Sequence, residues 1–498
     1  MNRREFLVGV GVGAAMLAAQ RVGVYGQGPA AANGPRLNVL LLTADDMNFD
    51  TPDIVRGIAP DVTPNLDLLS KSALRFVYSH VTVAVCQPSR ETLMTGRYPC
   101  RSGANGFVPV NADCPTLQES LHAAGYELGI LGKVSHLKPY EKFPWDYQKD
   151  ADDLHMGRDP ESYYKSATEF FAKAKQDHKP FFLMANSHDP HRPFAGSKRD
   201  IKANTEPGTA KRSSGEPGDA VAPMPHPDPK RIYTADEVRV PGFLPDLPDI
   251  RTELAQYASS CHRCDETLGK VLQALKESGM EDNTVIFFLS DNGMSFPFAK
   301  ANCYLTSTRT PLMVRWPGHT KPGSVDNEHL VASIDFMPTV LDILKIAPPP
   351  GMDGKSYVPL LNGQPQDGFD HVFTNYDRGA NMKLFLNMRC VQDHHFGYIY
   401  NDWSGKVDYM ADNMSDLTFA AMKEAGKTNS DIANRADFYV HRVPEELYDL
   451  EKDPDCLTNL AGDPAYAKTL VAYRTQLLGN LKATGDPFEA PLRKIAGG

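Results

Sequence analysis

Leu37-Asn38-Val39-Leu40-Leu41-Leu42-Thr43-Ala44-Asp45-Asp46 is an apolar run that ends in two adjacent carboxylates. Consecutive apolar positions leave no polar face, so the run suits a strand covered on both sides, as in a helix-flanked parallel sheet. The chain on either side of it alternates in the same sense. Thr63-Pro64 has the form of a helix start, followed by Leu66, Leu68 and Leu69. The pattern then predicts a strand at 74–77, a helix at 115–124, a strand at 127–131, a helix at 162–174, a strand at 181–185, a helix at 254–276 and a strand at 284–289. Alternation of this kind specifies an α/β fold with helices on both faces of the sheet.

Ligands of open α/β sheets bind beyond the carboxyl ends of the strands. Four predicted strands run into polar residues there. Asp45 and Asp46 follow the first, Lys133 and His136 follow 127–131, Asp189 and His191 follow 181–185, and Asp291 and Asn292 follow 284–289. One such Asp is commonly just a helix cap; four polar ends on one sheet edge point to a site. Asp45, Asp46, Asp291 and Asn292 offer only oxygen, which fits calcium, or magnesium, better than zinc. A cation also explains how carboxylates tolerate close approach.

The chain has 498 residues, 41% of them hydrophobic, and a formal charge of -10. That length suits a large domain with a smaller one, and the acidic balance argues against nucleic acid as a partner. Met1 to Leu7 carries Arg3-Arg4 before a short apolar run rich in Gly and Ala. This pattern predicts an export signal and flexible segment over 1–32, of the twin-arginine type, and hence a periplasmic or secreted bacterial protein. No later stretch is long and apolar enough to span a membrane. Of the eight cysteines, Cys261 and Cys264 form a CxxC inside a predicted helix, read as core or a disulfide rather than a zinc site.

Residues 33–369 are expected to form the catalytic domain. Within it, 194–251 is rich in Pro, Gly, Lys and Asp without periodicity, and is expected to be a long surface insertion near the site. Residues 370–498 are expected to form a smaller α+β domain, with strands at 382–390, 396–400 and 446–450. A helix at 465–481 completes it, with Leu470, Tyr473, Leu477 and Leu481 at helical spacing.

Cys86-Gln87-Pro88-Ser89-Arg90, continuing to Thr95-Gly96-Arg97, resembles the signature of the sulfatases. The likeness extends along nearly the whole chain. It takes in Asp45-Asp46, Gly132-Lys133, Pro190-His191, Ser290-Asp291-Asn292-Gly293, Lys300 and the run from Glu446 to Leu450. His136 stands three residues after Lys133, where many sulfatases have two. Within the family, His188 to Arg192, Ser290 to Gly293 with Phe296-Pro297, and Met388 to Gln392 are similar to heparan N-sulfatases. The Gly132 to His136 spacing is similar to iduronate sulfatases.

The resemblance implies an alkaline-phosphatase-like fold and a divalent metal on Asp45, Asp46, Asp291, Asn292 and position 86. It implies that Cys86 is oxidised to formylglycine by a formylglycine-generating enzyme before folding ends. A hydrated aldehyde at 86 is then expected at the mouth of an oxygen-lined cation pocket, where one hydroxyl attacks sulfur. Arg90 would hold it, Lys133 would bind a sulfate oxygen or the diol, and His136 would take the proton of the elimination step. His191, with Lys300, would protonate the leaving oxygen or nitrogen. Asp189 would contact the substrate, or else hold His191 or Arg192. The expected substrate is a sulfated saccharide, with N-sulfoglucosamine favoured over O-sulfated glycans. Phosphate or phosphonate esters on the same fold and a non-catalytic glycan-binding protein are the alternatives.

Overall fold

β1 (Asn38–Ala44) is buried at all seven positions, as its unbroken apolar run requires. It pairs in parallel with β5 (Phe181–Asn186) on one side and β6 (Thr284–Ser290) on the other. Around these lie β2 (Leu74–His80), β3 (Glu127–Leu131), β4 (Tyr147–Lys149), β7 (Leu312–Arg315) and β8 (Ser324–Ala332). The order is β4-β3-β5-β1-β6-β7-β2-β8. β7 runs antiparallel to both β6 and β2, and the other neighbours are parallel. This computed structural model describes residues 36–205, 224–377 and 386–497. The export-signal reading and the first residues of the predicted strand 382–390 lie outside the described residues.

Alternate side chains of β1 feed two cores. Leu40 and Leu42 join Phe170 and Phe171 of α4 (Pro160–Gln176) and Leu254 and Leu268 of α6 (Pro248–Ser278). Val39 and Leu41 join Leu93 and Met94 of α2 (Cys86–Thr95) and Leu117 and Leu121 of α3 (Leu117–Ala123). Truncating one such Leu to Ala costs about 2–5 kcal/mol. α3 starts at a reciprocal Thr116–Glu119 capping box. α1 (Pro64–Ser70) carries Pro at its first position, as the Thr63-Pro64 pair predicts.

The C-terminal part holds a second, antiparallel sheet in the order β12-β11-β10-β9. Its strands are β9 (Val372–Asp377), β10 (Asn387–Gln392), β11 (Phe396–Asn401) and β12 (Glu445–Asp449). Leu477 and Leu481 of the helix Ala467–Thr484 pack on Val391, Tyr398 and Leu447 of this sheet, with Leu470 and Tyr473 half-buried beside them. Contacts join Leu37–Gly498 in one compact unit.

Several expectations change. The 194–251 segment is not merely a surface insertion: α5 (Lys198–Thr205) lies in it, and Phe194, Tyr233, Val238, Phe243 and Leu244 are core residues. These anchors are irregularly spaced, so no period betrays them. α6 begins at Pro248, six residues before the predicted start, because its first turn is polar. β7 and β8 carry no strong signal, being short in one case and alternately exposed in the other. None of the eight cysteines, Cys261 and Cys264 among them, is joined in a disulfide, so the disulfide reading does not hold. Among the described residues no helix is long and apolar enough to cross a membrane.

Candidate active site

The ends of β1, β3, β5 and β6 meet the first turn of α2. Backbone bonds tie them: Asp45 N donates to Asp189 O (3.2 Å) and Asp291 N to Ala44 O (3.3 Å). Asp46 N donates to the Asp291 carboxylate (3.1 Å). Asn186, the last residue of β5, accepts from Thr43 (2.7 Å) and Arg90 (2.6 Å) and donates to Gly132 O (2.9 Å). Gly132 has φ +72°, and a Cβ there would stand 2.6 Å from Asn186 O. Glycine therefore permits this approach of β3 to β5. Asp46 and Lys133 hold left-handed backbone at φ 75° and 58°, a cost of order 1 kcal/mol or more that functional sites commonly carry.

Cys86 and Arg90 are one turn apart and share a face of α2. Arg90 reaches Asp291 at 2.7 Å and Asp45 at 3.9 Å. Lys133 contacts the Asp45 carboxylate. Lys300 lies 3.0 Å from Asp46 and 3.6 Å from Asp412. The structure thus brings together Asp45, Asp46, Asp291, Asn292, Arg90, Lys133 and Lys300.

Carboxylate oxygens of Asp45, Asp46 and Asp291 all lie within 4.8 Å of one another, and the three residues are buried. Asn292 donates to Asp46 (2.6 Å), while its buried Oδ1 accepts no hydrogen bond among the described residues. Clustered hard oxygens, one of them an unused amide oxygen, fit a calcium or magnesium ion. The electrostatics agree. Burial pushes Asp45 upward, but Lys133, His191, Arg90 and His188 outweigh it and hold the carboxyl well below the usual range. Burial pushes Asp291 up, and the Asp45 and Asp46 charges add to that against the pull of Arg90. Three acids at this spacing cannot all ionise comfortably without added positive charge.

Cys86 is fully buried, so the expectation that position 86 stands open at the mouth of a pocket does not hold. The start of α2 is sunk between the two cores, with Cys86 in one and Leu93 in the other. Lys133, His191 and His188, at 5%, 7% and 8% exposure, mark where the cluster meets solvent. His191 lies 2.7 Å from Arg192 O through Nδ1. His136 is buried in the turn Val134–His136.

The Asp189 carboxylate is turned to two arginines. Both oxygens face guanidinium groups, Arg263 at 2.6 and 3.1 Å and Arg158 at 3.2 Å. Asp189 is fully buried, and these contacts tie its loop to Arg158 and Arg263. Arg192 is turned instead to Glu253 and, at 2.7 Å, to Asp416. Sequence reasoning missed Asn186, His188 and Asp412. The first two border predicted site residues and could have been found there. Asp412 comes from the C-terminal part, in a stretch with no motif.

Comparison with known proteins places this geometry. A sulfatase family model matches residues 37–346, and a model described as N-sulphoglucosamine sulphohydrolase, C-terminal, matches 295–414. Human N-sulphoglucosamine sulphohydrolase is 30% identical, with 91% of each chain covered. A solved complex with D-glucosamine-2-N,6-O-disulfate superimposes with a TM-score of 0.66 at 21% identity, covering 91% of this chain and 99% of the other. A phosphonate monoester hydrolase of Agrobacterium radiobacter does so at 0.63 and 21%, covering 90% and 96%.

Proposed function

The chain belongs to the sulfatase family, and from that premise we propose that it releases sulfate from a sulfated glycan, with N-sulfoglucosamine the preferred unit. It is a hydrolase of sulfuric esters or sulfamates. The observation that carries the reading is Cys86 one helical turn before Arg90, whose guanidinium reaches Asp291 and Asp45 of the buried acidic cluster. The preference for N-sulfate is supported by the 30% identical sulphohydrolase and by the C-terminal match.

Asp45, Asp46, Asp291 and Asn292 would hold one calcium or magnesium ion, which when bound supplies the charge that lets the carboxylates ionise and offsets negative sulfate oxygens. Position 86 would carry the formylglycine of the family, made from Cys86 by a formylglycine-generating enzyme, and its hydrate would supply the nucleophilic hydroxyl. The full burial of Cys86 supports modification before folding is complete, since a modifying enzyme could not reach the thiol afterwards. Arg90 orients the hydrate, Lys133 binds a sulfate oxygen, and His136 is the candidate acceptor for the elimination proton. His191 protonates the departing nitrogen or oxygen, and Lys300 steadies the charge beside it. The Arg3-Arg4 segment supports export by the twin-arginine route.

Sulfate release from matched N-sulfated and O-sulfated heparin-type saccharides tests the substrate, with an aryl phosphate alongside. Faster release from the N-sulfated unit is expected. A faster O-sulfate or aryl phosphate reaction overturns the preference.

A further inference from the structure

Asp412 reaches the active site from the C-terminal part of the chain. It opens the short turn Asp412–Met414, and two ties clamp this segment to residues on the leaving-group side. Asn413 donates to Phe296 O and Lys300 O, each at 3.1 Å, and accepts from Tyr439 at 3.0 Å. Asp416 accepts from Arg192, the residue after His191, at 2.7 Å. The Asp412 carboxylate itself stands 3.6 Å from Lys300 Nζ. Lys300 is sealed from solvent while the Asp412 side chain keeps 15% exposure, so the carboxylate is the more outward of the pair.

The cations around Asp412 have other acids beside them. Lys300 lies 3.0 Å from Asp46, and Arg192 contacts both Glu253 and Asp416. Asp412 therefore adds a negative charge beyond those pairs. Burial opposes that charge, but Lys300, His191 and Arg192 outweigh it and hold the carboxyl below its usual range. The group is thus ionised at neutral pH.

An ionised carboxylate here separates two kinds of leaving group by charge. As sulfur passes from a sulfamate to the nucleophile, the S–N bond breaks and its electron pair stays on nitrogen. The nitrogen takes one proton from His191 to become an amine, and a second from solvent makes it a cation. When an S–O bond breaks instead, the oxygen takes one proton and remains a neutral hydroxyl. A fixed negative charge stabilises the positive charge building on nitrogen, and offers the hydroxyl only a hydrogen bond.

We propose that Asp412 is a specificity residue for nitrogen-linked sulfate, its carboxylate accepting an N–H of the departing amine and stabilising the ammonium form. This role rests on the glycan sulfatase reading above and assigns its preference for N-sulfate to one side chain.

N-sulfoglucosamine and glucose 2-sulfate differ only in the atom that bears the sulfate, so sulfate release from the pair isolates the effect. The N-to-O ratio of kcat/KM should fall roughly tenfold or more in Asp412→Asn, the scale of one hydrogen bond to a charged group, with Asp412→Glu in between. Equal losses on both substrates, as an ion pair that merely holds Lys300 would give, overturn the proposal. Calorimetric titration of the products glucosamine and glucose reads the same contact without turnover. The native protein should bind glucosamine roughly fivefold tighter than glucose or more, and Asp412→Asn should bind the two alike. A preference unchanged in the variant, or absent from the native protein, also overturns the proposal. Should neither sugar sulfate be cleaved while a glucosamine preference depends on Asp412, the substrate reading fails and the amine site stands. Far-ultraviolet dichroism and melting show whether Asp412→Asn folds. If it does not, Asp412→Glu, which keeps the charge but displaces it, carries both comparisons.

Discussion

Two buried charge clusters adjoin at the β1–β5 edge, and they are balanced in opposite ways. Around Asp189, one carboxylate faces two guanidiniums, and Arg158 also approaches Asp200 at 3.6 Å. Around Asp45, Asp46 and Asp291, three carboxylates crowd one another, and Arg90, Lys133 and Lys300 approach from the outside. The first cluster is complete as it stands, a brace for the 186–192 loop. The second leaves acids facing acids and an amide oxygen unused, which is the signature of a place for a cation. A buried carboxylate marks a binding site when its neighbours repel it, and a structural tie when they satisfy it.

The largest expected effect sets the two clusters against each other. Asp189→Asn strands two buried guanidiniums and should destabilise the fold by about 3–5 kcal/mol, read by denaturant melts. Asp291→Asn weakens the 2.7 Å tie to Arg90 but relieves the repulsion from Asp45 and Asp46, so it should shift the melt less than Asp189→Asn while reducing sulfate release by about 10²-fold to 10³-fold. Interchanged results would reverse the assignment of brace and site. Next in size is the response to metal. Calcium at a hundredfold over its Kd should stabilise the native protein by about 2.7 kcal/mol, measured after chelation and re-addition. The Asp291→Asn protein should respond far less. A similar gain in both would place the cation elsewhere.

The smallest effect concerns pH. Asp291 is raised in the folded, metal-free protein, so the folded state keeps a proton that the unfolded chain has lost. Stability from this group is therefore greatest in acid and falls as pH rises through and above the usual carboxylate range. Melts of the chelated protein should show that decline, and Asp291→Asn should flatten it. No difference between the two slopes would mean that the acids do not repel one another as the geometry requires.

Much of this was legible in the sequence, for physical reasons that differ by element. β1, β5 and β6 are buried on both faces, so their apolar runs are unbroken and easily read. Asp45, Asp46, Asp291 and Asn292 end those same strands, and the topology fixes their meeting. β7 and β8 lie toward one side of the sheet, where shortness or alternating exposure weakens the pattern. The partners of Asp189 were not legible, because an Asp after a strand looks the same whether its partners are cations or other acids. Its partners Arg158 and Arg263 come from distant points on the chain. Asp412 was invisible because it is carried to Lys300 by a turn held through Asn413, which donates to Phe296 O and Lys300 O at 3.1 Å. The depth of Cys86 also escaped the sequence, since a motif fixes residue types but not what covers them.

Sulfate release by the metal-loaded protein and by its Cys86→Ala variant, from the same N-sulfated saccharide and with matched dichroism, goes to the centre of this account. The variant should remain folded and release sulfate only at the uncatalysed background, while the unsubstituted protein turns the substrate over. Substantial release by the folded variant would show that the nucleophile lies elsewhere.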